Sequence, residues 1–272
     1  MEPAVFRAGP FNLPLTRTYV MGILNVTPDS FSDGGRYRDP AAAVARAMEM
    51  AREGADVIDI GGQSTRPGFE PVPPEEEWER IREVLPAVVK GTGLPVSVDT
   101  FYPQVAWRAL EAGACILNDV SGFGKEMLQV AAGSGCGCVV MEPGGGEGPV
   151  LSRVRGFFLR RLEEAQGLGI ARERLCFDPG IGFGKTLEEN LLLLARAGQV
   201  KVEGCALLIA ASRKRVTGAV CGDPPFGERL PATLAAHTGA VLGGADLVRV
   251  HDVKEAVQAA RMADALKQRA GA

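Results

Sequence analysis

MGILNVTPDSFSDGG, residues 21–35, changes character at Asn25: the apolar run Met21 to Leu24 ends there and gives way to a stretch dominated by turn formers. The first part reads as a buried strand and the second as a loop. Pro28, Asp29, Ser30, Asp33, Gly34 and Gly35 support neither helical nor alternating periodicity, and polar loops mounted on a strand commonly carry function.

The rest of the chain repeats this arrangement. Downstream of the loop, Asp39 is a candidate N-cap and Pro40 a first helical residue. Val44, Ala47, Met48 and Ala51 then recur at helical spacing until Gly54, which predicts an amphipathic helix lying on a sheet. A second unit has Val57 to Ile60 as strand, GGQSTRPGFEPVPP as loop, and a helix opening on Glu75 to Glu77, acids that suit a helix N-terminus. Trp78, Ile81, Leu85 and Val88 form its expected buried stripe. Six further apolar runs follow: Pro95 to Val98, Cys115 to Leu117, Cys138 to Val140, Leu175 to Phe177, Ala206 to Ala210 and Leu247 to Val250. Helical segments are expected from Pro103, from about Lys125, and near 152–168, 186–197, 230–242 and 252–268.

Eight short strands without alternation, interleaved with helices, require a parallel sheet covered on its outer face. Eight such units closing on themselves predict an α/β fold, a single (β/α)8 TIM barrel. A doubly wound open sheet is the rival, but no GxGxxG follows Leu24. Upstream, Pro3, Pro10 and Pro14 suit an extended or hairpin lead-in that caps one end. No linker or composition shift divides residues 1–272, so one domain is expected.

Composition narrows the function. A chain of 272 residues, 46% hydrophobic with net charge -3, can bury a full core and offers no basic patch for nucleic acid. No apolar run reaches the roughly 18–20 residues needed to span a bilayer, and Met1 to Leu15 lacks the continuous apolar core of a signal peptide. The expectations are a cytoplasmic location, no membrane and a small-molecule partner. Cys115, Cys136, Cys138, Cys176, Cys205 and Cys221 are expected as reduced thiols, several inside strands. Cys136 and Cys138 have CxC spacing, but two histidines and no second cysteine pair argue against zinc.

In a TIM barrel the strand ends share one face, so polar residues there converge whatever their separation in sequence. That collects Asn25, Thr65, Arg66, Asp99, Asn118, Asp178, Ser212, Lys214, Arg249 and His251. Carboxylates and amides suit a flat heterocycle with neighbouring N–H groups, while Arg66, Arg249 and His251 suit an anion. A phosphorylated heterocycle satisfies both halves. DPGIGFGKT, Asp178 to Thr186, ends like a Walker A loop, but Pro179 stands where the first glycine is required and removes an N–H from the cradle. His237 lies in an apolar helical segment and reads as structural; His251 follows the eighth strand, where barrels often bind phosphate.

NVTPDSFSDGG, GGQSTRPG, VDT, ND, DPGIGFGK, SRK and RVHDV occur in the order in which they stand in the dihydropteroate synthases, and the chain resembles that family over nearly its whole length. The resemblance implies condensation of 6-hydroxymethyl-7,8-dihydropterin pyrophosphate with p-aminobenzoate, the folate-pathway step that sulfonamides inhibit. It places Asp99, Asn118, Asp178 and Lys214 on the pterin, with Asp178 on the amino-pyrimidine edge. It places Asn25, Arg66, Arg249 and His251 on pyrophosphate and its Mg2+, with Asn25 as the protein's metal ligand. Thr65, Pro67, Phe183 and Ser212 surround p-aminobenzoate, and Met141 belongs to the substrate pocket. Asp99, Lys214, Arg249 and His251 are the implied catalytic set, and a homodimer is the implied assembly.

One departure is visible: after the fifth strand the family commonly has a histidine and a second methionine, where this chain has Glu142 and Pro143. Pterin-dependent methyltransferases share the barrel and pterin pocket but use no pyrophosphate, and the anion set and the NVTPDSF loop speak against them. A silent pterin-binding homologue is expected to lack Arg66, Lys214 or Arg249, and all three are present. Loops 25–37 and 62–74, rich in Gly, Pro, Ser and Asp, are expected to order on pyrophosphate before p-aminobenzoate binds.

Overall fold

The computed structural model describes residues 4–27, 40–63 and 70–270. Thr65, Arg66, Pro67, the candidate N-cap Asp39 and most of the two expected substrate loops lie outside them.

Eight parallel strands close into a barrel in chain order: β3 (Tyr19–Asn25), β4 (Val57–Gly61), β5 (Val96–Asp99), β6 (Ile116–Asp119), β7 (Gly137–Met141), β8 (Leu175–Asp178), β9 (Ala206–Ile209) and β10 (Leu247–Val250), with β10 pairing back on β3. The TIM-barrel expectation holds. Before them, β1 (Val5–Ala8) and β2 (Phe11–Pro14) form the antiparallel hairpin expected of the proline-rich lead-in. Phe6 of that hairpin packs with Met21, Val57, Ile116, Cys176, Leu208 and Leu247, plugging one end of the barrel.

Around the barrel run α1 (Pro40–Glu53), α2 (Pro74–Ile81), α3 (Val84–Thr92), α4 (Pro103–Glu111), α5 (Lys125–Ala132), α6 (Val150–Gly167), α7 (Leu187–Ala195), α8 (Ala197–Val200), α9 (Arg215–Ala219), α10 (Leu230–Leu242) and α11 (Val253–Ala270). Three details differ from the sequence reading. The helix expected from Glu75 is two helices, because Pro86 has no N–H to donate to residue 82 and the chain turns at Arg82 and Glu83. Ile81, Leu85 and Val88 are buried as expected, but Trp78 is only half-buried at the edge of the cluster, and the fully buried side of α2 includes Glu77. In α1 the buried residues are Ala43, Ala47 and Met50, so the packed face is rotated from the expected stripe. A Cβ on Gly22 of β3 would meet Met50 Sδ at 3.0 Å, so the bare glycine is what seats Met50 and sets that rotation.

All six cysteines are free, five buried and Cys221 exposed. No helix among the described residues is long and apolar enough to cross a membrane.

Candidate active site

Alternation along the strands decides which side chains enter the barrel. Val57, Ile116, Cys176 and Leu247 belong to the interior cluster that Phe6 plugs. Two residues on in the same strands, and therefore also interior, stand Asp59, Asn118, Asp178 and Arg249. Asn25 and Asp99 end their strands on the same side, level with Gly61 between them in the register. The polar residues expected just beyond the strands are thus mostly their final interior residues. Backbone ladders fix them, rather than loops.

Above this layer opens a cavity of about 350 Å³. Of the residues singled out by sequence, Asn25, Asn118, Met141, Asp178 and Arg249 line its floor side and Phe183, Ser212, Lys214 and His251 its remaining wall. Asp99 lies beneath, buried, and reaches the cavity through Arg249.

Arg249 organises the floor. Its Nε donates to Asp59 Oδ2 at 2.6 Å and its Nη2 to Asp99 Oδ2 at 2.7 Å, while Asn118 Nδ2 donates to Asp59 Oδ2 at 3.2 Å. Burial disfavours the Arg249 charge, yet Asp59 and Asp99 hold its pKa above the ordinary arginine value. Burial raises Asp99 to about 7 against the pull of Arg249, with Asp59 and Asp119 adding to the rise. Asp178 is also raised, by burial, and Lys214 opposes that. Burial lowers Lys214 to about 8, with Asp178 opposing. Asp59 Oδ1 and Asp99 Oδ1 are buried with no hydrogen-bond partner among the described residues. Unmatched buried acceptors of this kind suit a ligand that brings N–H donors.

The wall is assembled from the ends of β8, β9 and β10. Lys214 Nζ donates to the Ile181 carbonyl at 2.7 Å and lies 4.7 Å from the centre of the Phe183 ring. Ser212 Oγ accepts the His251 backbone N–H at 3.2 Å and sits 2.9 Å from His251 Nδ1. Phe226 meets the His251 ring edge-on at 5.6 Å between centroids. His237 is buried away from the cavity wall; its Nε2 accepts the Ala211 N–H at 3.0 Å, and burial lowers its pKa to about 3. It is the structural histidine that its helix implied.

Sequence reasoning missed Asp59, although a carboxylate inside the apolar run VIDIG was a usable signal. It also missed Phe226 and Arg229, which line the cavity from the segment between α9 and α10 and have no strand-end position to mark them. The Walker-like string resolves differently: Thr186 is the N-cap of α7, accepting from Glu189 N at 3.2 Å while Glu189 Oε2 accepts from Thr186 N at 2.9 Å. Lys185 is buried against Glu142.

Magnesium takes oxygen ligands in octahedral geometry and commonly shares them between protein and phosphate. Among the described residues no group of three or more His, Cys, Asp or Glu side chains could hold a metal, and Asp59 and Asp99 already serve Arg249. An ion beside Asn25, which lines the cavity, would have to take its remaining oxygens from a diphosphate and water.

Comparison with known proteins agrees with this geometry. Residues 21–251 match the model of a family described as pterin binding enzyme. A dihydropteroate synthase of Synechocystis is 43% identical over 261 residues, covering 92% of this chain and 90% of the relative. The structure of a Xanthomonas albilineans dihydropteroate synthase with 4-aminobenzoic acid superposes with a TM-score of 0.92 at 40% identity, covering 97% of this chain and 98% of that one. A Burkholderia cenocepacia dihydropteroate synthase complexed with 7,8-dihydropteroate gives 0.90 at 38% identity, covering 98% of both chains.

Proposed function

Because this chain belongs to the pterin-binding enzyme family and, within it, to the dihydropteroate synthases, we propose that it joins 6-hydroxymethyl-7,8-dihydropterin pyrophosphate to p-aminobenzoate. The observation that carries this reading is the paired interior layer, with carboxylates and an amide on one side of Arg249 and a cavity with cationic walls on the other. Asp178 and Asn118 line the cavity and offer acceptors to the N–H edge of the pterin, and Asp99, beneath them, is assigned to the pterin on sequence grounds. Lys214 serves the opposite polar edge. Arg249 has Nε and Nη2 engaged by Asp59 and Asp99; it lines the cavity with His251 and Asn25, and we assign the three to the diphosphate. Ser212 and Phe183 border the p-aminobenzoate side, and we assign Thr65, Arg66 and Pro67 to that side and to the diphosphate on sequence grounds.

In the reaction the C–O bond between the exocyclic methylene and the diphosphate breaks, the aromatic amine nitrogen bonds to that carbon, and the amine proton leaves with diphosphate or solvent. Arg249, held by two carboxylates before substrate arrives, presents its donors without reorganising, the condition under which electrostatic stabilisation is worth most. Asp99 offsets positive charge developing on the pterin ring. Magnesium, bound with the diphosphate, would neutralise charge on the leaving group. The amine is nucleophilic when neutral, so no strong general base is needed.

The test is incubation with both substrates and magnesium, with mass detection of dihydropteroate and release of diphosphate; full turnover in excess chelator would remove magnesium from the scheme. Sulfonamides should compete with p-aminobenzoate. A homodimer and a cytoplasmic location complete the proposal. Met262 and Leu266, one turn apart on α11 and both exposed, offer an apolar face for the dimer, which sedimentation equilibrium would reveal.

A further inference from the structure

The loop after β7 and the loop after β8 are joined backbone to backbone. Gly144 has φ +91° and a Cβ there would lie 2.4 Å from the Phe183 carbonyl oxygen; Gly180 has φ +67° and a Cβ there would lie 2.1 Å from the Glu142 carbonyl oxygen. Only glycine permits both the left-handed conformation and the approach. Into this junction runs Lys185, whose side chain is completely buried. Its Nζ donates to the carbonyls of Glu142 (3.3 Å), Gly180 (3.1 Å) and Phe183 (3.1 Å) and lies 2.6 Å from Glu142 Oε2. The residue that departs from the family pattern, Glu142, is thus the counter-ion of the lysine in the Walker-like string.

A buried ion pair is poor evidence of stabilisation, since desolvation offsets much of the attraction, and its better-attested use is to enforce one conformation. The conformation enforced here has a direct product. Between Gly180 and Phe183 lie the Ile181 carbonyl that accepts from Lys214 Nζ and the Phe183 ring beside it. Gly182, in the same turn, is packed so that a Cβ would touch Lys214 Cδ at 3.3 Å. The turn that Lys185 ties together is the surface against which Lys214 is laid.

We propose that Glu142 and Lys185 are positioning residues for the pterin half of the site, locking the 178–186 turn so that Ile181 and Phe183 hold Lys214 in its binding pose. The proposal rests on the pterin-binding reading. It also predicts an electrostatic trace. Lys214 is faced by Asp178 and Asp99, which favour its charge, and by Arg249 and Lys185, which oppose it, with His237 neutral behind. Removing the Lys185 charge should therefore raise the pH at which Lys214 loses its proton.

The test is titration of wild type, Glu142→Gln and Lys185→Met with 6-hydroxymethylpterin between pH 6.5 and 9.5, alongside thermal melts and steady-state kinetics. The expected result is at least tenfold weaker pterin binding in Lys185→Met, with its alkaline limb moved to higher pH, and at least threefold weaker binding in Glu142→Gln, which leaves the Lys185 charge buried without its counter-ion. KM for p-aminobenzoate at saturating pterin pyrophosphate should rise too, because Phe183 borders that side, but by less than the loss in pterin affinity. If Lys185→Met melts without cooperativity, Glu142→Gln, which keeps all three carbonyl contacts, decides by the same threefold criterion. Pterin affinities within twofold of wild type in the folded variants, with an unmoved alkaline limb, would overturn the proposal. Failure of the wild type itself to bind the probe would count instead against the pterin reading.

Discussion

The two ends of the barrel interior are built from the same strands and differ in every consequence. At the hairpin end stand Val57, Ile116, Cys176 and Leu247 under Phe6. At the other end, two residues on in each strand, stand Asp59, Asn118, Asp178 and Arg249. The first end buries apolar surface and holds the fold together. The second buries charge, leaves Asp59 Oδ1 and Asp99 Oδ1 without partners, and raises or lowers nearby pKa values. Function sits where the fold accepts a cost, an arrangement common to TIM barrels, whose catalytic face is at the C-terminal ends of the strands.

The largest effect should come from breaking the apolar end. Phe6 is fully buried, so Phe6→Ala should cost about 3–5 kcal/mol of stability through lost transfer energy and the cavity left behind. Turnover of the folded fraction should be unchanged. A denaturant titration with the protein at low temperature, paired with initial rates, checks both; a fall in the catalytic constant with unaltered stability would mean that the ends are not separable.

Asp178→Ala breaks the other end. Hydrogen bonds to charged groups are worth roughly 1.5–3 kcal/mol, so pterin binding should weaken about tenfold or more, while the melting temperature changes little, because relief of a buried carboxylate is offset by loss of the acceptor for the Gly180 N–H at 2.8 Å. Isothermal titration with the pterin reads the first and a melt the second. Unchanged affinity would place the pterin elsewhere.

Asp59→Asn sharpens the comparison further, since it keeps the shape of the polar layer and deletes only one of the two charges that orient Arg249. The expected loss is about tenfold in kcat/KM, equivalent to roughly 1.4 kcal/mol, with p-aminobenzoate KM little changed. Equal activity would show that Asp99 alone suffices to fix the guanidinium.

How far the sequence discloses these two ends follows from what each is made of. The barrel is legible because eight apolar runs with polar residues at their ends leave few other folds. Most site residues are legible for the same reason. Asp59 is not, because it sits one residue inside an apolar run and looks like a strand irregularity until the register shows its side chain pointing inward beside Arg249. The packed face of α1 is ambiguous in sequence since alanines and methionines border both candidate stripes, and the choice is made by Gly22 across the interface. Glu142 and Lys185 are separated by 42 intervening residues; Glu142 alone looks like a departure from the family pattern and Lys185 like the end of a Walker loop, and only the glycine-mediated contact of two loops makes them one feature.

Glu77 gives the prediction with the most informative sign. It belongs to α2, yet it is fully buried against the polar end, where its Oε2 accepts from Gln63 Nε2 at 3.0 Å and from Thr100 Oγ1 at 3.1 Å. Burial raises its pKa to about 8; Asp99 adds to the rise, and Thr100, Gln63 and Arg80 oppose it. A carboxyl whose folded pKa lies above its unfolded value of about 4.3 contributes stability that is fully present below that value and is lost as pH climbs toward the folded pKa. The wild type should therefore lose stability between pH 5 and pH 8, where the unfolded chain sheds this proton and the folded one keeps it. Glu77→Gln, which imitates the protonated acid and keeps an oxygen for Gln63 and Thr100, should melt like wild type at pH 5 and higher than wild type at pH 8. The separation of the two pKa values puts an upper bound of roughly several kcal/mol on that gain, and each 1 kcal/mol of it would appear as roughly 2–4 °C in a protein of this size. Parallel melting curves across pH would mean that Glu77 is ionised in the folded state. The polar end would then carry one more buried negative charge than the present assignment gives it.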